Sequence, residues 1–183
     1  MPAIERAAAV AFAAEPAIDP ARTRSEADYA RLIRKGHCLV VHVGEVMAGF
    51  LVGEPFRREL HIWEMDVDPA FQRRGIGAGI VRAAQIDARN TGFKALTLTT
   101  FRDLPWNGPF YERLGFEEVT ALDAHLRLSG ELANQVDDGL PADRRCAMSR
   151  TGSPAHLANP IARDGGGPEN TPPNRTTVLF NCH

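Results

Sequence analysis

A glycine-rich loop joins a predicted strand to a predicted helix, and this junction constrains the fold more than any other feature. The strand is predicted over Leu60–Val67, and the loop follows as residues 68–79, DPAFQRRGIGAG. A helix is predicted over Gly75–Asn90, because apolar residues recur on one stripe while arginines fall opposite. The first amides of a helix lack internal partners and carry partial positive charge. The junction therefore predicts an anion-binding loop. Its glycines lack side chains, so a phosphate can approach the backbone closely.

Two common phosphate loops do not fit this segment. A dinucleotide-binding fingerprint needs its third glycine three residues after the second, whereas Gly79 follows Gly77 by two. A Walker loop needs Gly-Lys-Ser/Thr, which the segment lacks. Two readings stay open: the loop binds the phosphates of another cofactor, or Gly75 and Gly77 only allow close packing of the helix.

Composition bounds the remaining possibilities. The chain has 183 residues, a formal charge of -2 and 44% hydrophobic residues, which predicts one globular domain without the basic excess of a nucleic-acid binder. No stretch approaches the ~20 apolar residues of a membrane span. Three cysteines without a CxxC pair argue against a disulfide framework or zinc, so we expect no metal and a cytoplasmic protein. A secretory signal over the apolar run Ala7–Ala14 is the alternative, but the same residues fit a helix over Ile4–Ala14.

The composition changes near residue 150. Pro and Gly supply 9 of the last 34 residues, against 20 of the first 149. We expect a domain over residues 1–149 and a disordered tail over 150–183, because the tail lacks periodicity and cannot bury enough apolar surface. A functional tail that docks a partner through Val178–Phe180 is the alternative.

The other elements fit a mixed α/β (α+β) domain with a mainly antiparallel start. A capping pattern at Ser25 opens a helix that stops at Gly36. The remaining predictions are strands over 38–43, 46–53, 95–100, 116–120 and 144–149, and helices over 108–114 and around 122–136.

Two motifs resemble the GNAT family of acyl-CoA-dependent N-acetyltransferases over roughly residues 3–149. The first is Val67-Asp68-Pro69 followed by QRRGIG at 72–77, and the second is FYERLGF at 110–116. The resemblance implies the GNAT fold, a mixed sheet flanked by helices. The family usually begins with a strand, whereas Pro2–Arg6 already fits a helix, so we expect that the first strand is missing here or that the start is truncated.

The resemblance also implies an activity and a cofactor site. It implies acetyl-CoA-dependent transfer of an acetyl group, directly, to a primary amine of a small molecule or peptide. The residues that it places on CoA are Val67, Gln72, Arg73, Arg74, Gly75, Ile76 and Gly77. Asn107 lies nearer the second motif than the asparagine of many members, and we expect it to cap the short helix first and to contact CoA second.

Three residues carry the chemistry that the resemblance implies. The Val67 amide donates near the thioester carbonyl, Glu64 takes the proton of the amine directly or through water, and the Tyr111 hydroxyl protonates the departing sulfur. Strand alternation predicts Glu64 on one face with Ile62 and Asp66, opposite Trp63, Met65 and Val67. An ion pair with an arginine is the plain alternative for Glu64, and His61 is a weaker candidate that fits a structural role.

Rival functions stay open at this point. A CoA-binding regulatory or interaction module without catalysis is the main alternative, and transfer of a longer acyl group is another. The Arg73-Arg74 and Arg144-Arg145 pairs are too short and too far apart to track nucleic acid. The acids at Glu64 and Asp66 mildly favour a cationic acceptor, and the sequence leaves a homodimer open.

Overall fold

The computed structural model describes residues 1–10 and 23–152, and the backbone of residues 176–180. Helices are α1 (Pro2–Ala9), α2 (Glu26–Lys35), α3 (Ile76–Asn90), α4 (Gly108–Glu112) and α5 (Leu126–Asp137). Strands are β1 (His37–Val43), β2 (Val46–Phe56), β3 (Glu59–Val67), β4 (Ala95–Phe101), β5 (Glu117–Glu118), β6 (Arg145–Thr151) and β7 (Thr176–Phe180).

The strands form one mixed sheet in the order β5-β6-β4-β3-β2-β1-β7. Only the β3–β4 pair is parallel, because α3 crosses over between those strands, and the other pairs are antiparallel. Gly44 turns the chain between β1 and β2 at a φ of 61°, which suits the two-residue hairpin predicted there. This architecture confirms the predicted mixed, mainly antiparallel fold.

Two apolar clusters lie on opposite faces of the sheet. The larger cluster packs α3 and α4 against the strands through residues such as Leu51, Ile80 and Phe116. The smaller cluster packs α1 and α2 against Phe50 and Val52. Successive side chains of β2 point to opposite faces of the sheet, and both faces are covered, so most of the strand is buried. This explains the nearly continuous apolar run of β2.

Strands β3 and β4 separate partway along their length. They pair only from Glu59 opposite Ala95 to His61 opposite Thr97, although β3 runs on to Val67 and β4 to Phe101. Beyond His61 the two strands diverge, while β4 stays paired with β6 as far as Phe101. The sheet therefore opens at the end of β3 that leads into the glycine-rich loop.

A β-bulge at Trp63 corrects the predicted alternation of β3. Glu64 pairs with Val52 and Ile62 pairs with Gly53, so Trp63 is an extra residue on this strand. Ile62 consequently joins Met65 and Val67 in the larger cluster, and Trp63 packs in the smaller one. The prediction that Ile62 and Glu64 share one face of β3 was wrong, because side chains do not alternate with a period of two across a bulge.

The C-terminal segment also departs from the expectation. Strand β7 pairs antiparallel with β1, with Val40 opposite Leu179, and β6 extends to Thr151. The prediction of disorder over residues 150–183 was therefore wrong at these two strands, because backbone pairing extends β6 to Thr151 and adds β7 to the edge of β1. Residues 153–175 lie outside the described part of the chain.

Several element boundaries differ from the prediction. Helix α1 begins at Pro2 and ends at Ala9, and residues 11–22, which include much of the predicted helix and signal-like run, lie outside the described residues. Strand β5 covers only Glu117–Glu118 of the predicted 116–120. None of the described helices is long and apolar enough to cross a membrane.

Candidate active site

The glycine-rich loop ends in a bare helix N-terminus. The backbone is left-handed at Arg73 (φ 61°) and at Gly75 (φ 82°), and α3 begins at Ile76. The first helical hydrogen bond runs from the Gly79 N–H to the Gly75 carbonyl, so the preceding amides of α3 lie ahead of the helical ladder. The Gln72 side-chain amide donates to the Val67 carbonyl at 2.9 Å and ties the loop to β3. This geometry suits an anion.

A cleft of about 680 Å³ lies against this N-terminus. It reaches from the loop across the end of β3 to α4 and touches α1 at Ala8. Eight of the residues predicted from the sequence line it: Val67, Gln72, Arg73, Gly75, Ile76, Gly77, Asn107 and Tyr111. The structure thus brings both sequence motifs to one space.

The arginines of the loop divide between two environments. Arg73 lines the cleft, whereas the guanidinium of Arg74 lies 5.6 Å from the centre of the Phe71 ring and is not among the lining residues. Arg113, on the turn that ends α4, lines the cleft as well. Sequence reasoning missed Arg113, although its place inside the second motif was a usable signal.

Gly77 packs the start of α3 against β3 and α4. A Cβ at this position would lie 3.6 Å from Phe110 Cζ and from Val67 Cγ2, and 3.9 Å from Met65 Cε. Those are ordinary contact distances, so alanine fits and larger side chains meet the core. Close helix packing and exposure of the amides to the cleft are therefore compatible roles of this glycine.

The Val67 amide faces the gap between β3 and β4. The next amide, that of Asp68, donates to the Ala48 carbonyl at the end of β2 at 2.9 Å. Successive amides of a strand point to opposite edges, so the Val67 N–H points away from β2. Because β4 has diverged at this level, this N–H is directed towards the opening.

Tyr111 is positioned by aromatic neighbours. Its ring meets Phe110 and Phe116 edge to face, with centroids 5.1 and 5.5 Å away, and 8% of the residue is exposed. No described residue forms a hydrogen bond with its hydroxyl group. Burial raises the pKa of Tyr111, and the carboxylates of Glu64 and Asp66 raise it further. The phenol is therefore protonated at neutral pH and able to donate.

Asn107 occupies the N-cap position of α4 without capping it through its side chain. Its carbonyl accepts from the N–H groups of Phe110 and Tyr111, at 2.9 and 3.0 Å, but its side chain makes no cap hydrogen bond. The expectation that its side chain caps the helix first was wrong. The backbone of Asn107 has φ -116° and ψ -106°, which is not the extended conformation usual for an N-cap residue. Asn107 lines the cleft instead.

Glu64 lies on the α1/α2 face of the sheet, beside the cleft and not among its lining residues. The Arg24 guanidinium, with Nε 3.4 Å from the Glu64 carboxylate, also lies 5.8 Å from the centre of the Trp63 indole. Burial raises the pKa of Glu64 above its usual range, and Arg24 offsets part of that rise. The ion pair weighed as the plain alternative is thus present, with 29% of the Glu64 side chain exposed.

Asp66 is the β3 carboxylate that lines the cleft. Its Oδ2 atom is buried and has no hydrogen-bond partner among the described residues. Burial raises the pKa of Asp66, followed by the charges of Glu64 and Glu5. Sequence reasoning placed Asp66 beside Glu64 as an acid that favours a cationic acceptor, without giving it a catalytic role.

Glu5 joins these two acids from α1. This buried residue accepts hydrogen bonds from the Arg24 N–H at 3.0 and 3.1 Å and from the Tyr29 hydroxyl at 2.8 Å. Neither Glu5 nor Arg24 was a sequence candidate, because no motif spans their separation of 19 residues. Together they hold α1 and the start of α2 against the acidic end of β3.

His61 lies outside the cleft. It is fully buried, its Nδ1 lies 3.0 Å from Thr97 Oγ1, and its ring packs edge to face on Trp63. Burial lowers the pKa of His61 to about 3, helped by Arg127 and Arg24, so the imidazole is neutral. In the described part of the chain no group of three or more His, Cys, Asp or Glu side chains could hold a metal ion.

Comparison with solved structures shows the fold that this site shares. The ribosomal-protein-S18-alanine N-acetyltransferase of Escherichia coli superposes with a TM-score of 0.56 at 21% identity, covering 76% of this chain and 84% of that one. An acetyltransferase of Elizabethkingia anophelis with acetyl-CoA bound gives 0.53 at 16% identity, covering 69% and 83%. A Bacillus subtilis acetyltransferase in complex with CoA gives 0.52 at 16%, covering 70% and 85%.

The family comparison is more specific than the fold. The model of the Acetyltransferase (GNAT) family matches residues 4–116, which is more than half of the chain. That stretch contains the loop, the diverging strands and the second motif. The chain therefore belongs to the GNAT family of acetyltransferases.

Proposed function

We propose that this acetyltransferase moves the acetyl group of acetyl-CoA directly onto a primary amine that enters through the opening between β3 and β4. The observation that carries the proposal is that the loop amides, Val67 and Tyr111 border one cleft. Direct transfer requires the two substrates to be held in one space, where orientation lowers the barrier. Acetyl-CoA supplies the acetyl group as a thioester.

The chain's own residues then hold and polarise the substrate. The amides of the 72–77 loop and the Arg73 side chain hold the pyrophosphate, and Asn107 contacts CoA from the other side of the cleft. The Val67 N–H donates to the thioester oxygen as negative charge develops there. The Tyr111 hydroxyl donates its proton to the departing sulfur.

Removal of the proton from the amine falls to the carboxylates of β3. The family resemblance assigns it to Glu64, acting directly or through water. A carboxyl whose pKa is raised by burial is a better proton acceptor near neutral pH than a free one. Both Glu64 and Asp66 meet that condition.

The acceptor is proposed as a cationic amine, in a small molecule or at a peptide terminus. Three acids, Glu5, Glu64 and Asp66, lie close together at this end of β3, and their combined negative charge favours a cation. The Arg24 guanidinium beside Glu64 offsets part of that charge. A cytoplasmic location and assembly into a homodimer are proposals that rest on the sequence.

An assay of thiol release from acetyl-CoA across a panel of amines tests the proposal. The panel contains monoamines, diamines, amino acids and short peptides, and mass spectrometry identifies the acetylated product. We expect release above the hydrolysis rate for at least one cationic amine. Acetyl-CoA binding without release across the whole panel would favour a CoA-binding module without catalysis.

Two variants make the assay specific to the cleft. Tyr111→Phe should lower turnover, whereas Glu117→Gln, an exposed acid on β5, should leave it unchanged. Equal turnover in wild type and Tyr111→Phe would remove Tyr111 from the proposed chemistry.

A further inference from the structure

Two carboxylates lie on the same face of β3, and they differ in what they contact. Asp66 is opposite Phe50 and Glu64 is opposite Val52 on β2, and these two apolar residues belong to the cluster under α1 and α2. Asp66 lies next to Val67 and lines the cleft with it. Glu64 lies two residues further from the loop and does not line the cleft.

The two carboxylates also differ in their partners. The Glu64 carboxylate has the Arg24 guanidinium 3.4 Å away. The Glu5 carboxylate is engaged by the Arg24 backbone and by the Tyr29 hydroxyl. The buried Asp66 Oδ2 has no such partner in the described residues. Three carboxyl groups therefore lie close together, with the Arg24 guanidinium beside Glu64, and Asp66 is the one of the three that lines the cleft.

We infer that Asp66 binds the ammonium group of the acceptor amine and takes its first proton, and that Glu64 is a positioning residue that acts through Asp66. This inference rests on the proposed function, because it names the residue that receives the acceptor. An ammonium at Asp66 adds a positive charge beside a carboxyl group whose neighbours Glu64 and Glu5 are also acids. It also stands beside Val67, whose amide faces the reacting carbonyl.

The protons balance in this scheme. The ammonium R–NH₃⁺ gives one proton to the Asp66 carboxylate, and the free electron pair of nitrogen forms the bond to the thioester carbon. The carbon–sulfur bond breaks, and the sulfur takes the Tyr111 hydroxyl proton. The second proton of nitrogen returns to the Tyr111 oxygen, and Asp66 releases its proton to solvent. The products are the amide, the thiol of CoA and one proton.

The groups that face Asp66 determine its response to pH. Glu64 and Glu5 disfavour its ionised form, Arg24 favours that form, and burial disfavours it most. Tyr29 and Tyr111 face the same acids and stay protonated. Asp66 therefore ionises above the ordinary pKa of an aspartate, about 4. Removing the charge of Glu64 should bring that ionisation to lower pH.

The test is the pH profile of kcat/KM, from about pH 5 to 10, with an amine that wild type acetylates. Wild type needs ionised Asp66 and protonated amine, so its rate should rise with pH and level off well below the pKa of the amine. D66N depends on free amine alone, so its rate should keep rising about tenfold per pH unit up to that pKa. At neutral pH D66N should be slower by roughly 10²-fold.

Three further variants complete the experiment. D66E restores the carboxylate and should restore the plateau, which also guards against misfolding of D66N. E64Q should keep the plateau but start it at lower pH, and E117Q should match wild type. CoA affinity should be unchanged throughout, since none of these side chains belongs to the loop.

Two results overturn the inference. A plateau that persists in D66N and vanishes in E64Q would assign the proton to Glu64. Profiles of D66N and wild type that coincide would remove Asp66 from acceptor binding. In both cases wild type still acetylates the amine, so the proposed function stands. Failure of wild type with every amine would instead refute the proposed function, and this inference with it.

Discussion

Substitution at Gly77 probes the proposed binding of acetyl-CoA by the 72–77 loop most sharply, because the same position admits a matched control. In Gly77→Ala the new Cβ lies 3.6 Å from Phe110 and from Val67, which is ordinary contact. In Gly77→Val a γ-methyl reaches roughly 1.5 Å beyond Cβ, so one aimed at either neighbour falls inside the ~3.5–4.0 Å contact distance of carbon atoms. Valine therefore pushes the first turn of α3 away from β3.

The magnitude follows from the cost of overpacking. Extra methyl groups in a packed core cost about 1–3 kcal/mol. If the whole cost falls on the loop conformation that binds CoA, the affinity for CoA weakens by about 5- to 150-fold, since ~1.4 kcal/mol is tenfold. Alanine should change the affinity by less than about 3-fold and stabilise the helix by up to ~1 kcal/mol. Removal of the exposed Arg73 side chain should cost at most ~1 kcal/mol and fade with salt.

Titration calorimetry with CoA, paired with thermal unfolding, measures these differences. We expect the order of affinity wild type, Gly77→Ala, Arg73→Ala and Gly77→Val, from tightest to weakest. Wild-type affinity in Gly77→Val would refute the assignment of the loop to CoA. Equal losses in the alanine and valine variants would show that steric displacement of α3 is not the cause.

Three further predictions follow from the same structure. Tyr111→Phe should reduce turnover by about 10²-fold in the thiol-release assay, without a change in CoA affinity or Tm, because it removes only a hydroxyl with no described partner. Ending the chain after Gly152 removes β7 and exposes the β1 edge, so light scattering should detect more self-association; an unchanged monodisperse species would contradict the pairing. Because the pKa of His61 is lowered to about 3, the unfolded chain binds a proton that the folded chain does not as pH falls below about 6.5. Urea unfolding in acid should therefore show the stability of wild type falling relative to that of His61→Gln by up to ~1.4 kcal/mol per pH unit, because the opposing effect of the raised pKa values of Glu64 and Asp66 is common to both proteins and cancels in the difference.

The parts of the site that the sequence predicted are those encoded by local pattern. The loop at residues 72–77 and Tyr111 lie in continuous motifs, and a strand, a loop and an amphipathic helix leave few ways to arrange them. The strand–helix–strand pattern also predicted that α3 crosses over between two strands. The parallel pairing of β3 and β4 agrees with that prediction.

The parts that it missed depend on contacts between distant segments. The bulge at Trp63 is set by pairing with β2, and neither its existence nor its effect on the faces of Ile62 and Trp63 can be read from alternation. Arg24 and Glu5 meet Glu64 only after α1 and α2 have packed on the sheet. The β7 strand is too short for its own pattern to outweigh the Pro- and Gly-rich segment around it.

Initial-rate kinetics test the central claim, direct transfer within one cleft, most directly. Acetyl-CoA and an active amine are varied together, and reciprocal rates are plotted against reciprocal amine concentration. Direct transfer requires both substrates in the opening between β3 and β4 at once, so the plotted lines should intersect. Parallel lines, together with an acetylated protein formed in the absence of amine, would reveal a covalent intermediate and rule out direct transfer.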